Sequence, residues 1–244
     1  MSDRLAVLGV PVDACSSSEF MDRIQSALCT RGAKSVFAVN AEKIMRARRD
    51  SELFHALKGS DFLIPDGFGP VVGLKLLHGR RVDRTTGVGL MRDLVERAAG
   101  GGIRVFILGA RPETVEAAAR NLRNRFPKLE LVGFQHGYFA PGEQEDIVLR
   151  INRLDTDVLF VGLGSPRQEL WIHKNKSKLN VRLCVGVGGS INVMAGEAAL
   201  APAWISRIYM EWLFRLISDP SRFKRYRVIP VFIFRLLAEA VRRR

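Results

Sequence analysis

The sequence predicts an α/β fold, in which helices cover both faces of a mostly parallel sheet and a helical, basic appendage follows. Two observations lead to this prediction. Short apolar or β-branched runs alternate with amphipathic segments of helical length from residue 5 to residue 196, as in sheets built from strand–helix–strand units. After Gly196 the alternation stops, and three prolines divide a helical, aromatic and basic stretch.

Each strand is predicted from its apolar, β-branched content and each helix from the amphipathic segment that follows it. The predicted strands are Leu5–Val10, Ser35–Asn40, Asp61–Ile64, Ile103–Leu108, Leu129–Phe134, Val158–Val161 and Arg182–Val187. The predicted helices are Glu19–Cys29, Ala41–Leu57, Gly69–Leu77, Gly87–Ala98, Glu113–Arg125, Glu143–Arg153 and Arg167–Ser177. Ser16 and Glu19 have the spacing of a capping box at the first helix.

Length and composition fit one α/β domain with an appendage. The chain has 244 residues, of which 47% are hydrophobic and 26% charged, so it contains enough apolar side chains for a packed core. We place a boundary near residues 196–201, which separates a core of residues 1–198 from an appendage of residues 199–244.

The formal net charge of +13 indicates an anionic partner, which leaves nucleic acid, phospholipid headgroups and phosphorylated substrates open. From Trp204 to Arg244 the chain has nine Arg and one Lys against three acidic residues, a net charge of +7. Arginine pairs with phosphate through two parallel hydrogen bonds. The bias toward arginine therefore favours phosphate recognition.

The cysteines and the apolar runs predict a cytoplasmic protein. Cys15, Cys29 and Cys184 are odd in number, widely spaced and without metal-ligand spacing, which is typical of reduced thiols in a cytosolic protein. The N-terminus lacks the basic-then-apolar pattern of a signal peptide. The apolar run Val228–Phe234 contains a proline and is too short to span a membrane.

Polar residues follow two predicted strands, where an open parallel sheet binds its ligands. Asp66, in a proline–aspartate–glycine turn, is either a plain turn residue or a carboxylate that takes a proton from an acceptor hydroxyl. Asn40 is either the N-cap of a helix or a ligand contact. We take Asp66 as the candidate catalytic base.

Glycine-rich loops follow three other predicted strands and predict the approach of a phosphate or ribose to the backbone. Gly109 precedes a helix whose N-terminus favours anions. Gly164 precedes Gln168 and Glu169, which offer an amide and a carboxylate to a base or ribose, although Glu169 also suits the helix dipole as a first-turn acid. Gly188 belongs to a loop that fits either a phosphate cradle or a hinge into the appendage.

No metal site is predicted. The pair Asp155 and Asp157 precedes a strand and so lies on the opposite edge of the sheet from the ligand-binding loops. The four histidines are scattered without ligand spacing.

The tail combines apolar residues at helical spacing with flanking arginines. The apolar residues are Trp204, Ile208, Trp212 and Leu216. A helix packed on the core is one interpretation. An amphipathic, aromatic and basic helix is also typical of the membrane interface, and we favour contact with an anionic membrane.

Six motifs together resemble one family, the WecG/TagA/CpsF family of bacterial glycosyltransferases. They are Pro65-Asp66-Gly67, Arg84-x-x-Gly87, Gly162-x-Gly164-x-Pro166-x-Gln168-Glu169-x-Trp171, Gly186-Val187-Gly188-Gly189, Ala201-Pro202-x-Trp204 and Glu211-Trp212-x-x-Arg215-Leu216. The similarity runs in order from about residue 5 to residue 227.

The resemblance implies a Rossmann-like catalytic core and an appendage that docks on the membrane. It implies an inverting transfer of a hexose-type sugar, typically N-acetylmannosamine or its uronic acid, from UDP to an undecaprenyl-diphosphate-linked saccharide, without metal or other cofactor. The protein would then attach peripherally to the inner face of the bacterial cell membrane, and homo-oligomers remain open.

The resemblance also assigns roles to residues. Asp66 would be the base, and Arg84 and Gln168 would help to hold the donor. The full predicted donor set is Asn40, Arg84, Gly109, Gly164, Gln168, Glu169 and Gly188. The arginines predicted to meet the acceptor diphosphate and the membrane are Arg207, Arg215, Arg222 and Arg225.

Four positions depart from the family pattern: Ala38, Gly89, Asn192 and Leu200. The departures leave the sugar open between N-acetylmannosamine, its uronic acid, glucose and glucuronic acid. They also keep open an inactive sugar-nucleotide-binding partner of a glycan assembly complex. A basic nucleic-acid-binding protein is the other alternative, although no nucleic-acid-binding module appears and we expect no nucleic acid partner.

Overall fold

The computed structural model describes residues 3–83, 85–199, 201–202, 213–214 and 227–243. Several residues named in the sequence predictions lie outside these ranges, among them the apolar residues of the predicted tail helix (Trp204, Ile208, Trp212 and Leu216) and Arg84, Leu200, Arg207, Arg215, Arg222 and Arg225. Their predicted roles therefore stay predictions.

The chain opens with a β-hairpin, so the prediction of one strand over Leu5–Val10 is wrong. Strands β1 (Arg4–Val7) and β2 (Val10–Asp13) pair antiparallel. Between them Leu8 and Gly9 have φ angles of 51° and 84°. Two successive left-handed residues form the tight turn that matches the twist of a hairpin.

Six parallel strands form the central sheet, which confirms the predicted fold class. They are β3 (Lys34–Val39), β4 (Phe62–Pro65), β5 (Val105–Gly109), β6 (Leu131–Gln135), β7 (Val158–Gly162) and β8 (Leu183–Gly186). Their order across the sheet is β4-β3-β8-β7-β5-β6. The strands are mostly continuous apolar runs because both faces of a parallel sheet are covered.

Ten helices are described. They are α1 (Ser17–Leu28), α2 (Ala41–Ala47), α3 (Ser51–Lys58), α4 (Phe68–His78), α5 (Gly87–Gly101), α6 (Pro112–Arg125), α7 (Gln144–Arg153), α8 (Arg167–Asn175), α9 (Ser190–Met194) and α10 (Val228–Arg242). At the start of α1, the Glu19 backbone N–H donates to Ser16 Oγ at 3.2 Å, which is one of the two hydrogen bonds of the predicted capping box.

The single helix predicted over Ala41–Leu57 is wrong, because α2 ends and α3 begins within it. Asp50 lies in extended backbone between the two helices, and its carboxylate accepts the Leu53 backbone N–H at 3.0 Å. This side-chain cap supplies the hydrogen bond that a new helix start needs.

Two apolar cores lie on opposite faces of the sheet. Phe106 and Leu108 enter one core together with the hairpin and α2, α3, α4 and α10, whereas Val105 and Ile107 enter the other with α1, α5, α6 and α9. This alternation within β5 is the two-residue period of a strand that is buried on both faces.

Helix α10 packs on the first of these cores. Phe232 is fully buried and Leu236 is 2% exposed, and the helix lies against α2 and α4. The boundary near residues 196–201 stays a prediction, but this part of the predicted appendage contacts the core directly. Within the described residues, no helix has both the length and the apolar content to cross a membrane.

The amino ends of β3 and β4 are fixed by Asp61. Its carboxylate accepts hydrogen bonds from the Ser35 backbone N–H (2.9 Å) and from Lys176, and lies 3.4 Å from Lys34. Burial raises the pKa of Asp61, but the hydrogen bonds and the two lysine charges outweigh it and hold that pKa below its usual value.

Candidate active site

Asp66 lies at the carboxyl edge of the sheet, in the turn between β4 and α4. Its backbone N–H donates to Val39 O at 2.8 Å, which ties the turn to the end of the neighbouring strand β3. The residue is half-buried. The turn that carries Asp66 therefore lies at the edge where parallel sheets bind their ligands.

Asn40 follows β3 directly and is the N-cap of α2. Its Oδ1 accepts the Lys43 backbone N–H at 2.9 Å. Because β3 and β4 are neighbours with Val39 paired to Pro65, Asn40 and Asp66 follow adjacent strand ends. The capping interpretation is confirmed, and a contact with the donor stays a prediction.

The loops after β5 and β7 approach each other more closely than side chains permit. A Cβ atom on Gly109 would lie 2.4 Å from Gly162 O, and Gly109 has a φ of 141°. The Ala110 backbone N–H donates to Gly162 O at 3.1 Å, and the Gly137 N–H donates to Ala110 O at 2.8 Å. Glycine at position 109 therefore joins two loops of the predicted donor site.

Gln168 and Glu169 point into the protein. They are 3% and 0% exposed. Gln168 Oε1 accepts the Gly188 backbone N–H at 2.9 Å, and its Nε2 donates to Glu169 Oε1 at 2.8 Å. These bonds hold the Gly188 loop to the protein interior. Direct contact of either residue with the donor stays a prediction.

Lys43 is a site residue that sequence reasoning missed. It is 6% exposed, and its Nζ donates to Glu169 Oε1 at 2.6 Å and to Ala38 O at 2.5 Å. The apolar neighbours Ile44 and Met45 could have indicated that Lys43 lies in the buried part of α2. The partner, however, is 126 residues away in the sequence.

Helix N-termini supply hydrogen-bond donors at the same edge. Helices α2, α4, α6 and α8 each follow a strand and so begin there. Helix α5 also begins nearby, because a Cβ atom on Gly87 would lie 3.8 Å from Ser190 Oγ and 3.9 Å from Ala38 Cβ. Unpaired backbone N–H groups at helix starts favour anions such as a diphosphate.

Asn192, one of the departures, pairs with Glu197 near the start of α6. Asn192 Nδ2 and Thr114 Oγ1 donate to the Glu197 carboxylate at 3.3 and 2.8 Å, and Arg111 lies 3.5 Å from it. An aspartate at position 192 would place a second negative charge against Glu197. The asparagine therefore suits the carboxylate that this chain carries.

The acidic pair before β7 lies on the opposite edge, as predicted. Asp157 accepts the Arg104 backbone N–H at 2.9 Å and lies 3.2 Å from Arg182 Nε. Asp155 accepts Arg104 Nη1 at 3.0 Å. Among residues 3–83, 85–199 and the described tail segments, no three His, Cys, Asp or Glu side chains group as metal ligands.

The predicted site residues thus fall along one edge of the sheet. Each described member lies at or just after the carboxyl end of a strand, or in the first turn of the helix after it: Asp66, Asn40, Gly109, Gly164, Gln168, Glu169 and Gly188. Given a spacing of about 4.8 Å between strands, Asp66 lies roughly 14 Å along this edge from the loop after β7. This distance suits an extended ligand.

Known proteins have sequences similar to this chain along nearly its whole length. The model of the glycosyl transferase WecG/TagA/CpsF family matches residues 5–244. The N-acetylglucosaminyldiphosphoundecaprenol N-acetyl-beta-D-mannosaminyltransferase of Bacillus subtilis (strain 168) is 29% identical over 231 residues, 94% of this chain and 90% of that protein. The protein of the same name from Staphylococcus aureus (strain MW2) is 30% identical over 235 residues, 96% of this chain and 92% of that protein.

The family match spans the sheet, the edge that carries Asp66 and the basic tail, and it confirms the resemblance of the motifs. The chain therefore belongs to the WecG/TagA/CpsF family of glycosyltransferases.

Proposed function

We propose that this glycosyltransferase moves a hexose-type sugar from a UDP donor to an undecaprenyl-diphosphate-linked saccharide in the synthesis of a cell-surface polysaccharide or exopolysaccharide. The transfer inverts the anomeric centre, needs no metal, and uses Asp66 as the base. The observation that carries the proposal is the position of Asp66, held beside the end of β3 by its bond to Val39 O, on the edge that also carries the glycine loops.

In the proposed reaction the acceptor hydroxyl attacks the anomeric carbon in line with the departing UDP. The bond between that carbon and the diphosphate oxygen breaks, and the hydroxyl proton passes to the Asp66 carboxylate. One displacement inverts the configuration, so a single base is sufficient. Negative charge grows on the departing diphosphate, and the helix starts at this edge, together with Arg84, supply hydrogen bonds and positive charge to it.

The donor would lie along the edge from the Gly109 and Gly164 loops toward Asp66. The close approach of Gly109 to Gly162 leaves backbone rather than side chains facing this part of the edge, which lets a ribose or phosphate come near. Gly188, held by Gln168, lies between these loops and Asn40. The sugar would then be placed next to Asp66.

The relatives' names and three residues of this chain bear on the sugar and the acceptor. Both relatives are named for the transfer of N-acetylmannosamine to N-acetylglucosaminyldiphosphoundecaprenol. Of the departures, Ala38 lies near the carboxyl end of β3, Gly89 in the first turn of α5 and Asn192 in α9, the helix that follows β8. These positions would surround the transferred sugar, so the panel of donors must include glucose and the uronic acids.

Helix α10 supports contact with an anionic membrane. Opposite its buried face it exposes an apolar stripe at helical spacing, comprising Val231 (43%), Phe234 (74%), Leu237 (52%) and Val241 (73%). Arg235, Arg242 and Arg243 are exposed on the same helix. An apolar face with flanking arginines fits the interface of an anionic bilayer, where the lipid-linked acceptor would be found.

The test replaces Asp66 and leaves its surroundings in place. Asp66→Asn keeps the size and the backbone bond, so kcat should fall by about 10² to 10⁴ while UDP affinity by calorimetry stays close to that of the unmodified chain. Asp155→Asn, on the opposite edge, is the matched control and should keep full activity. Full turnover by Asp66→Asn would refute the assignment of the base.

The remaining parts of the proposal have their own measurements. Product analysis by NMR reports whether the anomeric configuration inverts, and activity after exhaustive chelation reports on metal. If no UDP-sugar in the panel is transferred to a lipid-diphosphate acceptor although UDP binds, the inactive partner becomes the better description. Tight binding of oligonucleotides at physiological salt would instead favour the nucleic-acid alternative.

A further inference from the structure

A buried ion pair lies directly beneath the proposed site. Lys43 is 6% exposed, Glu169 is fully buried, and their charged atoms are 2.6 Å apart. A buried pair stabilises a fold little, because the loss of hydration offsets much of the attraction between the charges. Apolar residues of similar volume often replace such pairs without loss of stability, so a role in geometry accounts better for these two residues.

The pair joins two parts of the site that are far apart in the sequence. On one side Lys43 Nζ donates to Ala38 O, at the end of β3. The next carbonyl along β3, that of Val39, accepts the Asp66 backbone N–H. On the other side Glu169 Oε1 accepts Gln168 Nε2, and Gln168 Oε1 accepts the Gly188 N–H.

We propose that Lys43 is a positioning residue for sugar transfer, which sets the spacing between the Asp66 turn and the Gly188 loop. The inference rests on the proposed function. That function places the base on one side of the Lys43–Glu169 pair, at the Asp66 turn, and the donor on the other side, at the Gly188 loop. Lys43 contacts neither substrate. It acts through Ala38 O and through Glu169.

The surroundings leave Gln168 and Glu169 little freedom to adjust. Glu169 Oε2 is buried and has no hydrogen-bond partner among the described residues, so Lys43 is the cation that compensates this carboxylate. Gly186 confines the amide next to it, since a Cβ atom there would lie 2.9 Å from Gln168 Nε2. Removal of Lys43 would therefore shift the carboxylate, the amide and the Gly188 N–H together.

A double variant separates positioning from stability. Lys43→Met alone leaves a buried carboxylate without compensation and would destabilise the fold. Lys43→Met combined with Glu169→Gln removes both charges, so thermal stability should return toward that of the unmodified chain. The connection to Ala38 O stays broken in the double variant. Its kcat should therefore remain about 10²-fold below that of the unmodified chain, because a small misplacement of the reacting groups has an effect of this size. The KM for the donor should change far less.

Amide hydrogen exchange supplies a readout that does not depend on turnover. The Gly188 N–H should exchange faster in the double variant, because its acceptor Gln168 then bonds to a side chain at position 169 that Lys43 no longer anchors. Recovery of kcat together with stability, or unchanged exchange at Gly188, would overturn the inference. If the double variant does not fold, Lys43→Arg replaces it: the charge stays but the geometry changes, so a lower kcat is expected and full kcat would overturn the inference.

A matched pair elsewhere serves as the control. Arg4 lies 2.7 Å from the fully buried Asp13 in the hairpin, and Arg4→Met with Asp13→Asn removes these charges in the same way. This variant should leave kcat and the exchange of Gly188 unchanged. The transfer assay on the unmodified chain tests the proposed function itself, which an absence of transfer would refute. The exchange rate at Gly188 tests the role of Lys43 separately.

Discussion

Two phenylalanines on α10 test whether one face of this helix packs on the core and the other binds a membrane. Phe232 is fully buried and Phe234 is 74% exposed, so the two lie on opposite faces of one helix. Phe232→Ala removes a core side chain and should lower the free energy of unfolding by about 3–5 kcal/mol. Phe234→Ala should change it by less than about 0.5 kcal/mol.

The order should reverse for membrane binding. Burial of a whole phenylalanine side chain is worth about 1.5–3 kcal/mol, and roughly three quarters of the Phe234 side chain is available to a bilayer. Loss of this contact is therefore worth about 1–2 kcal/mol, which corresponds to a five- to thirtyfold weaker partition, taking about 1.4 kcal/mol per tenfold change.

Urea unfolding and vesicle flotation measure the two effects. Vesicles that contain phosphatidylglycerol test the anionic surface, and vesicles of phosphatidylcholine alone report the part that does not depend on charge. Leu149→Ala removes an exposed apolar side chain from α7 and should alter neither measurement. Unchanged flotation of Phe234→Ala would refute insertion of α10, and an unchanged urea midpoint for Phe232→Ala would refute its packing on the core.

Three further predictions concern the core and the edges of the sheet. Gly109→Ala should lower the free energy of unfolding, measured in urea, by about 2–6 kcal/mol through overpacking and backbone strain. The reason is that the new Cβ atom would lie 2.4 Å from Gly162 O. Gly142→Ala is the control and should be neutral, because the space around Gly142 is open. Thiol reagents at pH 8 should modify the exposed Cys29 rapidly and Cys184 only after unfolding, because burial raises the pKa of Cys184 to about 12. Asp61→Asn should lower the free energy of unfolding at pH 7, because the pKa of Asp61 is depressed in the folded protein. The difference from the unmodified chain should shrink as the pH falls below 3.8, the pKa of the unfolded carboxyl. An equal difference at pH 7 and pH 3 would contradict this.

The sheet and the position of Asp66 at its carboxyl edge were predictable because they depend on local patterns. Apolar runs of strand length define the six parallel strands, and the rule that ligands bind beyond the carboxyl ends placed Asp66 correctly on that edge. The hairpin was missed because Leu8 adopts a left-handed conformation that leucine rarely takes. Local pattern gave no reason to break the apolar run there.

The inward contacts of the site were not predictable for a different reason. Lys43 follows a glutamate in an amphipathic helix, where a lysine is normally solvated. Its burial depends on α8 being packed against the end of β3, and sequence proximity carries no information about that contact. For the same reason Gln168 and Glu169 were interpreted only as ligand contacts or as a first-turn acid, although the structure shows them holding the Gly188 loop.

The two edges of the sheet carry different kinds of residues. At the amino edge charges pair with one another, as Asp61 does with Lys176 and Asp157 does with Arg182. At the carboxyl edge the chain presents glycine loops, helix N-termini and Asp66, and the buried pair beneath them joins the turns. Substitutions at the amino edge should therefore change melting temperature more than kcat. In the proposed reaction the turns at the carboxyl edge set the geometry of transfer, so small displacements there should lower kcat before they unfold the protein.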